Sequence, residues 1–509
     1  MRCVSYALLR TTLTMVLASG GWYAGAAAQD PRAVLDPITS AVMKHPITTS
    51  STVARDHFLR GQRELDLARF IDANAHFKEA VAADPTFAFA YLNVANTANS
   101  LDEFKTNLAL AEQHAAGASD AERLQIQMVR KGFDNDLVGQ LALGQQLVEK
   151  HPDSPRAWLA LAGVQGALNR NQEARTSIAK AVELAPRMFA AHTAMGLSYL
   201  FGEPRDFAKA LQHMQRAEAL APNEAGAHTS LGDVYRAQRN LAKAREEYMR
   251  GHQLDPRDGN LLVKAGHANT FLGDYVAARA DYDSAIAVGR ANQKAGYAPF
   301  RAYVSVYAGD PAAAIDELNR LVASIDGMGV PDPKTAKVGA LTSVVVIATH
   351  TRNRAAVEQA LQELEPLLTQ QGDEAENPAF RRGQQATIAY FEGWWAARRG
   401  DYAAAQKQAD QIGQLLAPDA NPRKLEPMHQ LEGFIALYQG KYREAAGHLR
   451  LGNTLDPYVK YQLALATEGA GDATEAKRLF TDVAQFNFNT VGFALVRKDA
   501  QQKAGAGTL

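Results

Sequence analysis

Histidine, carboxylate, cysteine and glycine spacings are where chemistry first shows in a sequence. The 13 histidines of this 509-residue chain contain no H-E-x-x-H and no two histidines four residues apart, so no zinc-hydrolase helix is present. Asp274, Asp281 and Asp283 lack the calcium-loop spacing, and ARADYDSAIA around them has the pattern of continuous helix. Adjacent carboxylates such as Glu246 and Glu247 point in different directions on a helix and form no acid/base couple. The single cysteine, Cys3, rules out a disulfide, a zinc–thiolate site or an iron–sulfur cluster held by this chain alone. Neither a G-x-S-x-G elbow nor a G-x-x-x-x-G-K-[ST] or G-x-G-x-x-G cradle occurs. No catalytic residue, cofactor or metal ligand is therefore expected. His192 and His228, 36 residues apart, suggest a stacked, titrating pair, but packing of each ring in its own repeat is the favoured reading.

The elements that would position any site come next. Lys and Arg number 54 against 55 Asp and Glu, a net charge of −1, so no basic track for nucleic acid is expected. Apolar residues make up 47% of the chain, enough for a large core. Residues 1–28 have the pattern of a signal peptide: Arg2 and Arg10, an apolar run from Leu13 to Ala18, then Ala26-Ala27-Ala28. Cleavage near Ala28 and export to the periplasm or beyond is favoured over an uncleaved membrane anchor, which needs about 20 uninterrupted apolar residues. Residues 29–52, with Pro31, Pro37 and Pro46, are expected to be a loose leader. The most apolar later run, Leu341 to Ala348, is too short to span a membrane.

An internal period governs the rest. Windows Ala157–Pro186, Ala227–Pro256 and Met428–Pro457 align without gaps. Small residues recur at Ala162, Gly232 and Gly433, alanine at Ala174, Ala244 and Ala445, and large residues at Ile178, Tyr248 and Leu449. Each window holds two helix-period stretches with a polar break between them, and proline closes it because proline cannot continue a helix. Pro152 to Pro186 and Pro222 to Pro256 are both 34 residues; Pro186 to Pro222 is 36, which places two extra residues in the turn near Gly202-Glu203-Pro204.

These offsets resemble the tetratricopeptide repeat family, whose unit is a helix–turn–helix of 34 residues. Clear copies fall at about 54–87, 155–188, 189–224, 225–258, 259–290 and 426–459, with weaker copies between and after them. His57, His192, His228 and His429 stand where the family usually has an aromatic. The resemblance implies an all-α right-handed solenoid of ten to twelve hairpins, with a regular array at 53–290, a degenerate helical-repeat region at 291–425, C-terminal repeats and a capping helix at 426–500, and a loose tail at 501–509. Phe486, Phe488 and Phe493 are placed to cover the last hairpin. The resemblance further implies a non-enzymatic scaffold that takes a peptide or partner helix in the groove lined by first helices. Its outward positions map to Asn96, Asn99, Thr229, Asp233, Arg236, His267, Thr270, Trp394, Phe434 and Tyr438. Exposed groove positions of this kind change stability by no more than about 0.5 kcal/mol when replaced. The alternative, an enzyme or small-ligand binder, would have its site in the degenerate 291–425 region.

Overall fold

The structure, a computed structural model, describes residues 47–505. Helix starts are written into this stretch as side-chain caps. The Ser154 hydroxyl accepts from the Ala157 N–H and Pro155 opens the helix behind it. The same cap-then-proline device recurs at Asp310-Pro311, Asp332-Pro333, Asn377-Pro378 and Asp456-Pro457.

The result is 25 α-helices, with no strand among the described residues. In chain order they are α1 Thr52–Asp66, α2 Phe70–Ala83, α3 Ala88–Asn96, α4 Leu101–Gln113, α5 Asp120–Phe133, α6 Leu137–Lys150, α7 Pro155–Ala167 and α8 Asn171–Leu184. Then come α9 Phe189–Phe201, α10 Phe207–Leu220, α11 Ala225–Ala237, α12 Leu241–Leu254, α13 Gly259–Leu272, α14 Tyr275–Val288, α15 Ala291–Tyr307 and α16 Pro311–Ser324. The remainder are α17 Pro333–Thr351, α18 Arg354–Glu374, α19 Pro378–Arg398, α20 Tyr402–Leu416, α21 Glu426–Tyr438, α22 Tyr442–Leu451, α23 Pro457–Gly469, α24 Ala473–Ala484 and α25 Val491–Lys503. They pair in order as twelve antiparallel hairpins followed by one terminal helix, an all-α solenoid.

Most hairpins turn through one residue in the left-handed region: Ala68, Asn135, Asn169, Arg239, Gly273, Gly309, Arg352, Gly400, Gly440 and Gly471. Inside the hairpin, a small residue on the first helix lets a large one on the second approach. A Cβ on Gly232 would lie 2.3 Å from the Tyr248 ring, and one on Gly433 would lie 2.5 Å from Leu449. The large residue therefore fills its own hairpin as well as the space beside it.

The described chain divides into two compact units, one of residues 47–268 with Ala287–Gly289, the other of Asn269–Ile286 with residues 290–505. In the first, the turn of the opening hairpin reaches far ahead in sequence. Arg156 grips Asp66 with two hydrogen bonds of 3.0 and 2.6 Å, and Arg69 pairs with Glu224. Between them Leu67 packs beside Phe189, Ala217 and Ala227, and Ala68 beside Ala225 and Leu261. In the second unit, α25 returns onto the opening elements. Phe493 meets Phe271 edge-on at 5.9 Å, the Arg497 guanidinium lies 5.0 Å over the Phe271 ring, and Asn489 hydrogen-bonds Tyr282 and Tyr307. Phe486 packs on Phe493 at 5.2 Å.

Residues 47–51, expected to end a loose leader, are held in place. The Thr48 N–H donates to Glu122 and the Thr48 hydroxyl accepts from the Ser119 N–H, each at 3.0 Å. Helix α25 likewise continues to Lys503, into the expected tail. The signal-peptide reading of 1–28, the leader as far as 46 and tail residues 506–509 lie outside the described residues.

Candidate functional site

Five of the ten sequence-chosen positions lie on α11 and α13, the first helices of successive hairpins. Asp233 follows Gly232 directly, so its carboxylate sits where Tyr248 crosses from α12. The Tyr248 hydroxyl donates to it at 2.8 Å, Lys264 of α13 reaches both of its oxygens at 2.6 and 2.8 Å, and Arg236 lies one turn on at 3.1 Å. His267 continues that row one turn beyond Lys264, and the Thr229 hydroxyl donates back to the Ala225 carbonyl at 3.0 Å. Thr270 lies in the other unit, its hydroxyl 3.2 Å from that of Tyr282. Asn96 and Asn99 are half-buried near the end of α3, and the Asn99 N–H donates to Glu103 at 2.7 Å.

The expectation that these side chains stand exposed fails at all five positions on α11 and α13: Asp233 is 1% exposed, Arg236 and Thr229 2%, His267 8%, and Thr270 is fully buried. A helix face read by itself shows a polar residue pointing away from its hairpin; the lysine of the next hairpin, which the face does not show, ties it down. Lys264 is the member of this cluster that sequence inspection missed.

In the second unit the expected outward placement fails at Trp394 and Phe434. Trp394 is 1% exposed and Phe434 is fully buried. The Trp394 indole N–H donates to the Tyr438 hydroxyl at 3.2 Å, and its ring packs on Phe434 at 5.6 Å and edge-on to Tyr458 at 5.4 Å. The Arg398 guanidinium covers the Tyr438 ring at 5.1 Å and donates to the His350 carbonyl at 2.8 Å. His350 contacts the Tyr458 hydroxyl at 3.0 Å; burial, reinforced by the Arg398 charge, holds its imidazole down to about 4, so the ring is neutral at physiological pH. Burial also pushes the Tyr438 and Tyr458 hydroxyls up. Trp394, Phe434 and Tyr438 thus form an aromatic core that joins α17, α19, α21 and α23, and Trp395 is buried beside them.

A third arrangement recurs along the chain. His57, His228 and His429 each meet a residue 19 places later: His76, Glu247 and His448. His192 meets His213, 21 places later, because its turn carries the two extra residues. The second member is always the seventh residue of its helix, in α2, α10, α12 and α22. His192 and His213 face each other at 3.4 Å, with burial and the His192 charge holding His213 below the usual imidazole range. His228 contacts Glu247 at 2.8 Å. Each histidine is thus engaged inside its own hairpin. Two of the pairs gain a carboxylate. Glu79 Oε2 lies 2.7 Å from His57 Nδ1 and 3.1 Å from His76 Nδ1. Glu432 Oε2 lies 3.1 Å from His429 Nδ1 and 2.9 Å from His448 Nδ1.

Compared with known proteins, residues 155–188 match the family described as tetratricopeptide repeat. No curated protein matches the chain in a sequence search. Among solved structures, the Cut9–Hcn1 hetero-tetramer of the APC/C is 15% identical, covering 89% of this chain and 78% of its own, with a TM-score of 0.41. A tetratricopeptide repeat protein from Parabacteroides merdae is 15% identical over 57% of this chain and 99% of its own, TM-score 0.34. A thermophilic repeat protein from Thermus thermophilus is 21% identical over 42% of this chain and 98% of its own, TM-score 0.28.

Proposed function

Since this chain carries the tetratricopeptide repeat and builds its solenoid from such hairpins, we propose that it is a non-enzymatic scaffold for another protein, taking an extended segment or a partner helix along the first-helix faces of residues 53–268. The observation that carries this reading is the run of hairpins in chain order, whose first helices α1, α3, α5, α7, α9, α11 and α13 recur as one element of each pair, with residues 155–188 matching the repeat family. Behind those faces the buried Asp233 holds Arg236 of α11 and Lys264 of α13 together, so the two first helices are fixed before any partner arrives. Basic and acidic residues balance at 54 and 55 along the chain, so recognition rests on placed hydrogen bonds, and salt weakens it only modestly. The signal-peptide pattern of residues 1–28 supports a place in the periplasm or outside the cell.

Affinity capture from an envelope extract with the full chain tests this. The half-buried Asn96 and Asn99 are the accessible choice, and the Asn96→Ala/Asn99→Ala pair should lose the captured protein while melting like the parent. A partner retained with unchanged affinity by that variant would take the interface off these helix faces. Sequencing of the mature N-terminus should begin near Gln29, and a chain found intact from Met1 in the cytosol would remove the envelope assignment.

A further inference from the structure

The two three-membered clusters share one construction. In each, a histidine and a glutamate three residues apart stand one above the other on one helix, His429 with Glu432 on α21 and His76 with Glu79 on α2. The facing helix of the same hairpin supplies a second imidazole, His448 or His57. In both clusters one donor atom of each residue lies within 4.8 Å of the other two. The carboxylate oxygen stands 2.7 to 3.1 Å from both Nδ1 atoms. A tetrahedral cation with bonds of about 2.0–2.1 Å to nitrogen and oxygen sets its ligands about 3.3 Å apart, so each carboxylate oxygen needs to open from the two Nδ1 atoms by only a few tenths of an ångström.

A second observation separates these clusters from ordinary surface ion pairs. Nδ1 of His57 and Nδ1 of His448 are buried and make no hydrogen bond, although a carboxylate oxygen stands at hydrogen-bonding distance from each. The separation suits a bond but the direction does not, as when ring lone pair and carboxylate both point at a common third centre. The same misdirection occurs in two hairpins of different units, on opposite helices of the pair.

We propose that His429, Glu432 and His448 bind a divalent cation of the zinc type, and that His57, His76 and Glu79 bind a second. Two imidazoles and one carboxylate suit zinc and its late first-row neighbours and disfavour magnesium or calcium, which take oxygen ligands. Both clusters are half-buried or more open, so water completes the coordination. Each cation ties the first helix of a hairpin to the second. The chain contains its own controls: His228 with Glu247 lacks a second imidazole and His192 with His213 lacks a carboxylate, so two ions are expected rather than four.

Zinc alone, titrated into metal-stripped full-length protein in a calorimeter, tests the assignment. The parent should take up two equivalents, and Glu432→Gln and Glu79→Gln should each remove one. These variants keep the side-chain volume and its hydrogen bonding, and circular dichroism should report unchanged helicity. Zinc should raise the melting temperature of the parent and leave the double variant where it was; magnesium should leave both unchanged. The proposal is overturned if the parent binds no zinc, if the double variant still takes two equivalents, or if magnesium acts as zinc does.

Discussion

Replacing Asp233 with alanine should cost far more than an exposed groove residue would. The carboxylate is buried, accepts twice from Lys264 and once from Tyr248, and pairs with Arg236. Removing one partner from a buried ion pair typically costs about 3–5 kcal/mol, because desolvated charge is left without its counterion. In a unit of this size each kcal/mol lowers the melting temperature by about 2–4 °C, so a fall of about 6–20 °C is expected for the transition of the first unit. Urea unfolding followed by circular dichroism at 222 nm gives the free-energy change, and the Asp233→Ala/Lys264→Met double variant supplies the internal check. With both charges gone the deficit should shrink, leaving a coupling of about 2–3 kcal/mol between the two sites. A loss below about 1 kcal/mol for Asp233→Ala, or strict additivity in the double variant, would refute the assignment of this cluster as a buried tie between hairpins.

Two further outcomes follow from geometry and charge. Gly232→Ala should destabilise by about 1–3 kcal/mol despite alanine's better helix propensity, because its Cβ would lie 2.3 Å from the buried Tyr248 ring. Gly166→Ala, where nothing lies within 4 Å, should instead stabilise by about 0.5–1 kcal/mol, and denaturation midpoints of the two variants should move in opposite directions. The neutral His350 gives a pH dependence. Its folded pKa of about 4 lies below the ordinary 6.5, so the unfolded chain binds the proton more readily. The stability it allows is complete above pH 6.5 and falls as pH drops toward 4, by at most about 3 kcal/mol. His350→Leu should flatten that part of the stability–pH curve, and a curve of unchanged slope would show that the imidazole is not the group concerned.

How much of this was legible in the sequence differs from residue to residue. The pairing of Gly232 with Tyr248, and of Gly433 with Leu449, could be read from spacing because both partners lie in one hairpin and recur at one offset. The stacking of hairpins follows from the same period. Asp233 could not be placed correctly, since its decisive partner, Lys264, arrives 31 residues later from another hairpin and has no counterpart in the aligned windows. Trp394 and Phe434 were misjudged for the same reason. Outward from their own hairpins, they meet Tyr458 of a later one. The histidine pairs were open to inspection. The 19-residue spacing is in the sequence, but it joins two helices of a hairpin at residue types that differ from pair to pair, so no fixed residue pattern marks it.

The reach of the opening turn across to α7, α9, α11 and α13 alters how the array can be taken apart. A linear solenoid is modular: a terminal repeat touches one neighbour and can be trimmed at the cost of one interface. Here Asp66, Leu67, Ala68 and Arg69 give the first hairpin contacts some 90 to 193 residues away, so deleting it strips two surfaces at once. During synthesis those contacts wait until α13 has left the ribosome, and the opening hairpin spends that interval with its turn uncovered. The unit completes itself late and as a whole, with its earliest-made segment among the last to find all of its contacts.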